Sequence, residues 1–199
     1  MILDYGMMQW ILSIVIGITL SRVISSVALL ARKRKLVKFD FLLTSNLLVI
    51  TINIVNFWFR SPEIFTSVEG KYIPFMLIFI TIVIFVTAVE ALLPTISLLE
   101  SDNVVDLKEA YFNQKNLYYL AMLSTGVVTL SLYIFYPEVK GFALGLESRI
   151  IEIPLLIVLT IILPGALILS SNYYLHGFNM ILLLGSLISE VIMYSSKMR

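Results

Sequence analysis

One long apolar run near the start of the chain constrains the fold more than any other feature. Residues Met7–Ala31 are apolar apart from Arg22 and a few small or polar residues, and a basic cluster follows directly, formed by Arg32, Lys33, Arg34, Lys35 and Lys38. About 20 apolar residues in a helix cross the ~30 Å hydrocarbon core of a bilayer. Loops rich in lysine and arginine stay in the cytoplasm. The run therefore predicts a membrane-spanning first helix with its amino terminus outside.

The composition agrees with a chain that lies in a membrane. Of the 199 residues, 59% are hydrophobic and 14% are charged, against about a quarter charged in soluble domains, and the mean hydropathy is +0.97. We expect an all-α bundle of transmembrane helices that forms one domain over residues 1–199, without a soluble domain. The segment before the first run carries Asp4 and no basic residue, so we expect no signal peptide.

No metal, cofactor or enzyme activity is expected. The chain has no cysteine, which excludes disulfides, thiolate nucleophiles and iron–sulfur clusters, and its single histidine, His176, cannot form a multi-histidine metal site. Hydrolase, metalloprotease and phosphate-loop motifs are missing. The aspartates that a paired-aspartate protease would need lie at or beyond the predicted membrane edges: Asp4, Asp40, Asp102 and Asp106.

Six apolar segments follow one another, separated by ordinary loop residues. They cover about residues 7–31, 39–60, 72–98, 110–136, 150–171 and 175–195. An even number of spans puts the carboxyl terminus outside as well. Asp106 with Glu109 three residues later is a helix-start pattern, so the fourth helix should begin near residue 106 and project into the cytoplasm. The break at 172–177 indicates either a tight helical hairpin or one re-entrant unit.

Two charged residues fall within the predicted spans at similar depth. Arg22 lies ten residues before Arg32, and Glu90 lies ten residues before Glu100, so each is ~15 Å from the inner boundary at helical rise. Charges at such depth are costly unless they find a partner or water. An Arg22–Glu90 ion pair is one hypothesis. The alternative is that each side chain faces a wet cavity separately.

The second helix carries a polar face. Asn46, Asn53, Asn56 and Arg60 are spaced by seven, three and four residues, which places them on one side of the helix. Amides need partners in lipid, so this face should look at another helix or at a pore or cavity. Glu190 on the sixth helix is a second candidate for the same polar interior.

Small residues and prolines indicate packing features. Ser13, Gly17, Ser21 and Ser25 form a ladder on the first helix that lets another helix approach closely, within the subunit or across subunits. Pro94 and Pro164 lie inside apolar segments and should kink them. The basic cluster sets topology, and it could also contact anionic lipid headgroups or a cytosolic partner.

Three stretches resemble a known group of proteins. They are the arginine-bearing first helix with its basic cluster, Ala91-Leu-Leu-Pro94, and the segment from Asp106 to Tyr119. Together they resemble small bacterial six-span inner-membrane proteins of unassigned function. The resemblance implies a bacterial inner-membrane location and no particular mechanism.

The function we expect is a homo-oligomeric, ion-conducting pore, gated from the cytoplasm by a partner or ligand at the basic cluster or at residues 100–116. Such a protein could be a membrane effector in bacterial defence. The expected lining residues are Arg22, Asn46, Asn53, Asn56, Glu90 and Glu190. One alternative is a small proton-coupled transporter with Glu90 or Glu190 as the carrier, and another is a membrane scaffold for a cytosolic partner.

Overall fold

Helices make up most of the chain. A computed structural model describes residues 5–93, 104–136, 139 and 149–197. Its elements, in chain order, are α1 (Tyr5–Arg32), β1 (Val37–Lys38), α2 (Phe41–Ser67), α3 (Tyr72–Leu92), β2 (Val105–Asp106), α4 (Leu107–Phe135), α5 (Arg149–Ile157), a π-helical turn (Val158–Ile162), α6 (Leu163–Leu169) and α7 (Tyr173–Lys197). The predicted all-α class is confirmed.

Four of the described helices, α1 to α4, are long and apolar enough to cross a membrane. In the most apolar window of each, only 28–39% of the residues are buried, so most residues of these windows are partly or fully exposed. A helix at the surface of a soluble protein would instead turn polar side chains outward. Residues Ile153–Leu169 form a shorter apolar helix.

A pair of very short strands marks one end of the bundle, which we call the strand end. β1 and β2 pair in parallel, with Val37 opposite Val105 and Lys38 opposite Asp106. The two valines are buried, and Lys38 Nζ lies 3.7 Å from Asp106 Oδ2. The pairing therefore brings the basic cluster next to the start of α4. Residues 100–103 of the predicted ligand region lie outside the described residues.

An aspartate opens the helix that follows each strand. Asp40 Oδ1 accepts a hydrogen bond from the Leu43 backbone N–H at 3.1 Å, and so caps α2. Asp106 Oδ1 accepts from the N–H groups of Lys108 and Glu109 at 3.0 and 3.2 Å, and so caps α4. These bonds satisfy donors that have no partner within the helix. The cap expected at Asp106 is confirmed.

Helix α2 is longer than expected. The apolar segment of about residues 39–60 lies within it, and the helix continues through Pro62 to Ser67. Proline lacks the N–H that would bond to the carbonyl four residues earlier, which here belongs to Trp58. The Ser61 hydroxyl donates to this Trp58 oxygen at 2.7 Å and takes the place of the missing bond.

Replacing Ser61 by alanine tests whether its hydroxyl takes the place of the backbone hydrogen bond that Pro62 cannot make. Ser61 is fully buried, and its hydroxyl also lies 2.9 Å from Gln9 Oε1 on α1. We expect Ser61→Ala to lower the unfolding free energy by about 1 kcal/mol, or the melting temperature in detergent by about 3 °C. Ser124→Ala is the control, since Ser124 bonds the Leu120 carbonyl in a helix segment without proline. Equal losses in both variants would contradict the role of Ser61.

Helix α3 is shorter than expected. It was predicted to extend to residue 98, but it ends at Leu92, and Leu93 adopts an extended backbone conformation with φ −77° and ψ 130°. The residue before a proline disfavours the helical conformation, and Pro94 follows Leu93. The expected kink at Pro94 itself falls outside the described residues. Glu90 therefore lies in the last turn of α3 instead of deep within a longer span.

Residues 149–169 form one helical rod with an irregular middle. The π-helical turn Val158–Ile162 comes directly before α6, in which Pro164 is the second residue. Pro164 removes the bond to the Thr160 carbonyl, and the wider turn is how the helix accommodates it. The disturbance expected at Pro164 takes this form. Opposite it, Gly126 of α4 packs against the backbone of Thr160.

The connection between α6 and α7 lies at the strand end and is shorter than expected. Helix α7 begins at Tyr173, and Asn172 Oδ1 accepts from the Tyr174 N–H at 2.9 Å. The Tyr173 hydroxyl donates to Asp40 Oδ2 at 3.1 Å. Burial, and then the charge of Asp40, raise the pKa of Tyr173 above its ordinary value, so this hydroxyl stays protonated.

Two apolar clusters pack the described helices together. The cluster toward the strand end includes Leu43, Ala88, Leu92, Leu107 and Tyr111. The cluster toward the opposite end, which we call the far end, includes Met8, Leu12, Ile64, Ile78 and Leu132. The helices are further fixed by the Trp58 indole N–H, which donates to Ser13 Oγ across α1 and α2 at 3.2 Å. A cavity remains between the two clusters.

Candidate functional site

The cavity lies between α1, α2, α3 and α4, and it is partly polar. Its volume is about 210 Å³, room for several water molecules at ~30 Å³ each. Seven of the side chains that line it carry polar groups: Thr19, Asn53, Asn56, Arg60, Thr81, Thr125 and Thr129. The rest of the lining is apolar, and includes Leu12, Ile54, Ile64 and Ile82.

Several polar side chains of the cavity bond within their own helix. The hydroxyls of Thr19 and Thr81 donate to carbonyls four residues earlier, at 2.8 and 2.9 Å. Asn53 Nδ2 donates to the Val49 carbonyl at 3.0 Å. Each of these side chains keeps oxygen lone pairs that can accept a bond from another donor. The cavity wall thus offers acceptors from several helices.

Thr125 differs from these residues. Its Oγ1 is buried, and among the residues that the structure describes it has no hydrogen-bond partner. A buried hydroxyl without a partner costs about 1–3 kcal/mol. An apolar group of the same shape in place of this hydroxyl would remove the cost.

The polar face predicted on α2 divides between two environments. Asn53, Asn56 and Arg60 line the cavity, in agreement with the cavity interpretation. Asn46 lies nearer the strand end and is buried, where its Oδ1 accepts from the Tyr118 hydroxyl at 3.1 Å. Each interpretation from the sequence thus describes part of the face.

The predicted ion pair between Arg22 and Glu90 is confirmed. Arg22 Nε and Nη2 donate to Glu90 Oε1 and Oε2 at 3.3 and 3.2 Å. Both side chains are 42% exposed, and neither lines the cavity. The pair joins α1 to α3 on the outer surface of the bundle. Glu190 belongs to α7, and its side chain lies outside the described residues.

A buried cluster at the strand end was not foreseen from the sequence. The hydroxyls of Tyr111 and Tyr119 lie 2.8 Å apart, and each approaches His176 Nδ1, at 2.9 and 3.1 Å. His176 Nε2 lies 3.1 Å from the Ser170 carbonyl oxygen, which can only accept. The imidazole proton therefore sits on Nε2, and Nδ1 accepts from a tyrosine hydroxyl.

Lys115 is the second unforeseen member of this region. Its side chain is buried, and Nζ donates to the carbonyl oxygens of Leu167, Ile168 and Ser170 at 3.2, 2.8 and 2.6 Å. These carbonyls end α6, where the helix dipole favours a positive charge. Lys115 therefore binds the end of α6 to α4, and it has a structural role in the geometry seen here.

The basic cluster lies at the surface of the strand end. Arg32, Arg34, Lys35 and Lys38 are exposed, and Lys33 is partly buried. Two large apolar side chains directly after the cluster, Phe39 and Phe41, are also exposed. Basic and aromatic side chains side by side are typical of a membrane interface. The surface has the composition that lipid headgroups would contact.

Within the described residues, no three His, Cys, Asp or Glu side chains come together as a metal site would require. Comparison with protein families, curated proteins and solved structures finds no match to the chain. The cavity, with its oxygen acceptors from four helices, is therefore the strongest candidate for a functional site.

Proposed function

We propose that the chain is a homo-oligomeric protein of the bacterial inner membrane that conducts ions through a pore, with the cavity of each subunit as part of the path. The observation that carries the proposal is a cavity between four apolar helices with polar side chains in its wall. Polar groups at such positions are costly in a membrane protein and tend to mark an ion or substrate path. Asn53 and Asn56 would then line the path, as expected from the sequence.

The proposed arrangement in the membrane follows from the charges and the helix lengths. The basic cluster puts the strand end in the cytoplasm, and both termini lie outside. The rod over residues 149–169 is about 31 Å long at ~1.5 Å per residue, enough for a fifth span. Helix α7 would be the sixth. This assignment restores the six spans that the sequence suggests.

The state described here would conduct weakly. Leu12, Ile54 and Ile64 of the two apolar clusters line the cavity beside its polar groups, and they would form the barrier to ions. Hydrophobic constrictions can gate a pore by excluding water. A cytoplasmic ligand or partner would act at the strand end, where Lys38 and Asp106 join the two loops.

Ion flux into liposomes tests the proposal. Purified protein should carry ions across the bilayer under an applied voltage, and Thr125→Val or Asn53→Leu should reduce the flux at least about tenfold, which corresponds to ~1.4 kcal/mol of barrier. Thr87→Val is the matched control, because Thr87 is exposed on the outside of α3. Correctly folded protein that passes no ions at either sign of voltage would refute the pore.

Thr125→Val also separates a lost path from a lost fold. Valine has nearly the shape of threonine and removes the buried hydroxyl that lacks a partner among the described residues. We therefore expect a melting temperature equal to that of the parent or higher, together with the reduced flux. A variant that loses both stability and flux would not support a role for the cavity.

The same liposomes distinguish the two other functions considered from the sequence. A proton-coupled transporter would show saturable transport that follows the pH gradient, and Glu90 could carry a proton only after its ion pair with Arg22 broke. A membrane scaffold would show no transport, and would bind a soluble partner that is lost when Arg34 and Lys35 are neutralised.

A further inference from the structure

Helix α1 presents one face to its surroundings over most of its length. Ile11, Ile14 and Ile18 are 41%, 48% and 63% exposed, and their spacing of three and four residues places them on one side of the helix. Exposed isoleucines at this spacing indicate that the surface meets lipid or protein, not water. We call it the α1 face.

The Arg22–Glu90 pair interrupts this apolar surface. Arg22 lies one turn after Ile18 on the same side of α1, so an exposed apolar side chain borders the pair. Each member of the pair keeps 42% of its side chain exposed. Charges in contact with lipid tails are costly, and charged residues within membranes almost always face protein or a water-filled space. The exposed isoleucines of the α1 face make a water-filled space a poor match for this surface.

The shape of the α1 face allows a second helix to approach closely. Gly17, Ser21 and Ser25 are exposed on it at intervals of four residues. A side-chain carbon added at Gly17 would meet nothing within 4 Å. Small residues at this spacing let helix backbones come together in membranes, where packing and polar contacts supply the attraction.

We propose that the α1 face is the contact between two copies of this chain, in which Arg22 of each copy binds Glu90 of the other. One cation beside one anion is a self-complementary pattern, because a two-fold rotation places each charge opposite its counterpart. A second copy thus shields both charges and supplies a second ion-pair partner for each. The inference rests on the homo-oligomer of the proposed function and identifies its interface.

Disulfide crosslinking in native membranes locates the contact. The chain contains no cysteine, so a single introduced cysteine reports one position without a background. Ser21→Cys and Ser25→Cys should form dimers on oxidation. Leu48→Cys and Leu120→Cys are controls, since they are exposed on α2 and α4, away from the α1 face. No dimer at residues 21 and 25, or equal amounts at the controls, would overturn the interface.

Charge reversal separates contacts between copies from the pair within one copy. Arg22→Glu gives a copy with two acidic residues at the site, and Glu90→Arg gives one with two basic residues. Each variant alone should associate at least about tenfold more weakly than the parent. Coexpressed with different tags, the two variants should copurify, because opposite charges then meet across the interface. Failure of the mixture to associate better than either variant alone would overturn the proposal.

Conductance is measured separately on the same samples. Ion flux without crosslinking at residues 21 and 25 would leave the pore standing and reject this interface. Crosslinked dimers without ion flux would support this interface and reject the pore.

Discussion

Replacing Gly126 by alanine should lower the unfolding free energy by about 3 kcal/mol, although it adds a single methyl group. The new carbon would lie 2.6 Å from Thr160 Cβ and 2.9 Å from the Thr160 carbonyl carbon, with the carbonyl oxygen also in contact. Two of these three atoms belong to the backbone, so no rotamer change relieves the overlap. Helix α4 and the π-helical turn would have to separate.

Thermal unfolding in detergent measures this loss, which corresponds to about 6–12 °C for a chain of this length. Gly185→Ala is the matched control, because a carbon added at Gly185 on α7 meets nothing within 4 Å. Alanine favours a helix over glycine, so the control should be neutral or slightly more stable. Similar melting temperatures for the two variants would mean that α4 and the π-helical turn do not touch at Gly126.

Lys115→Met should be about as destabilising, at ~3 kcal/mol. Methionine matches the length of the aliphatic part of lysine, but it leaves the carbonyls of Leu167, Ile168 and Ser170 without their donor in a buried place. The end of α6 would then loosen from α4. Besides a lower melting temperature, hydrogen exchange should become faster at the amides near the α6–α7 connection.

Lys35→Met is the control for this second prediction. Lys35 is exposed in the basic cluster, so its replacement should change stability by no more than about 0.5 kcal/mol. If Lys115→Met changed the stability as little as Lys35→Met, water would be satisfying the hydrogen bonds of the three carbonyls. The end of α6 would then not depend on the ammonium group.

Local sequence signals are sufficient for α1, for the start of α4 and for one hypothesis about a contact. The long apolar run gave α1 nearly to the residue, and Asp106 was placed correctly as the cap of α4. The spacing of Arg22 and Glu90 from charged loops makes their ion pair one of two hypotheses, and the structure shows the pair. That spacing assumed too long an α3, yet the pair forms because α1 and α3 both run from the far end toward the strand end.

The sequence does not show which residue of a neighbouring helix lies opposite a given side chain, so contacts between helices could not be predicted from it. Asn46 and Asn53 share one face of α2, but the first meets Tyr118 and the second meets a cavity. His176 is distant in sequence from the tyrosines that it contacts on α4. A signal did exist: Tyr111, Lys115, Tyr118 and Tyr119 lie on one side of a helix, and a lone histidine or buried lysine among apolar residues needs polar partners. This pattern indicates that these side chains need polar partners, but it does not identify the partners.

The two-residue strand pair links the start of α2 to the start of α4. β1 ends two residues before Asp40, the cap of α2, and β2 ends at Asp106, the cap of α4, so the register of Val37 against Val105 ties the starts of the two helices together. A slip of one strand by one residue would turn the valine of that strand outward. It would also displace Asn53, ~18 Å along α2, relative to Thr125, ~27 Å along α4. Two paired positions thus influence how the side chains of Asn53 and Thr125 are placed relative to each other, several helical turns away.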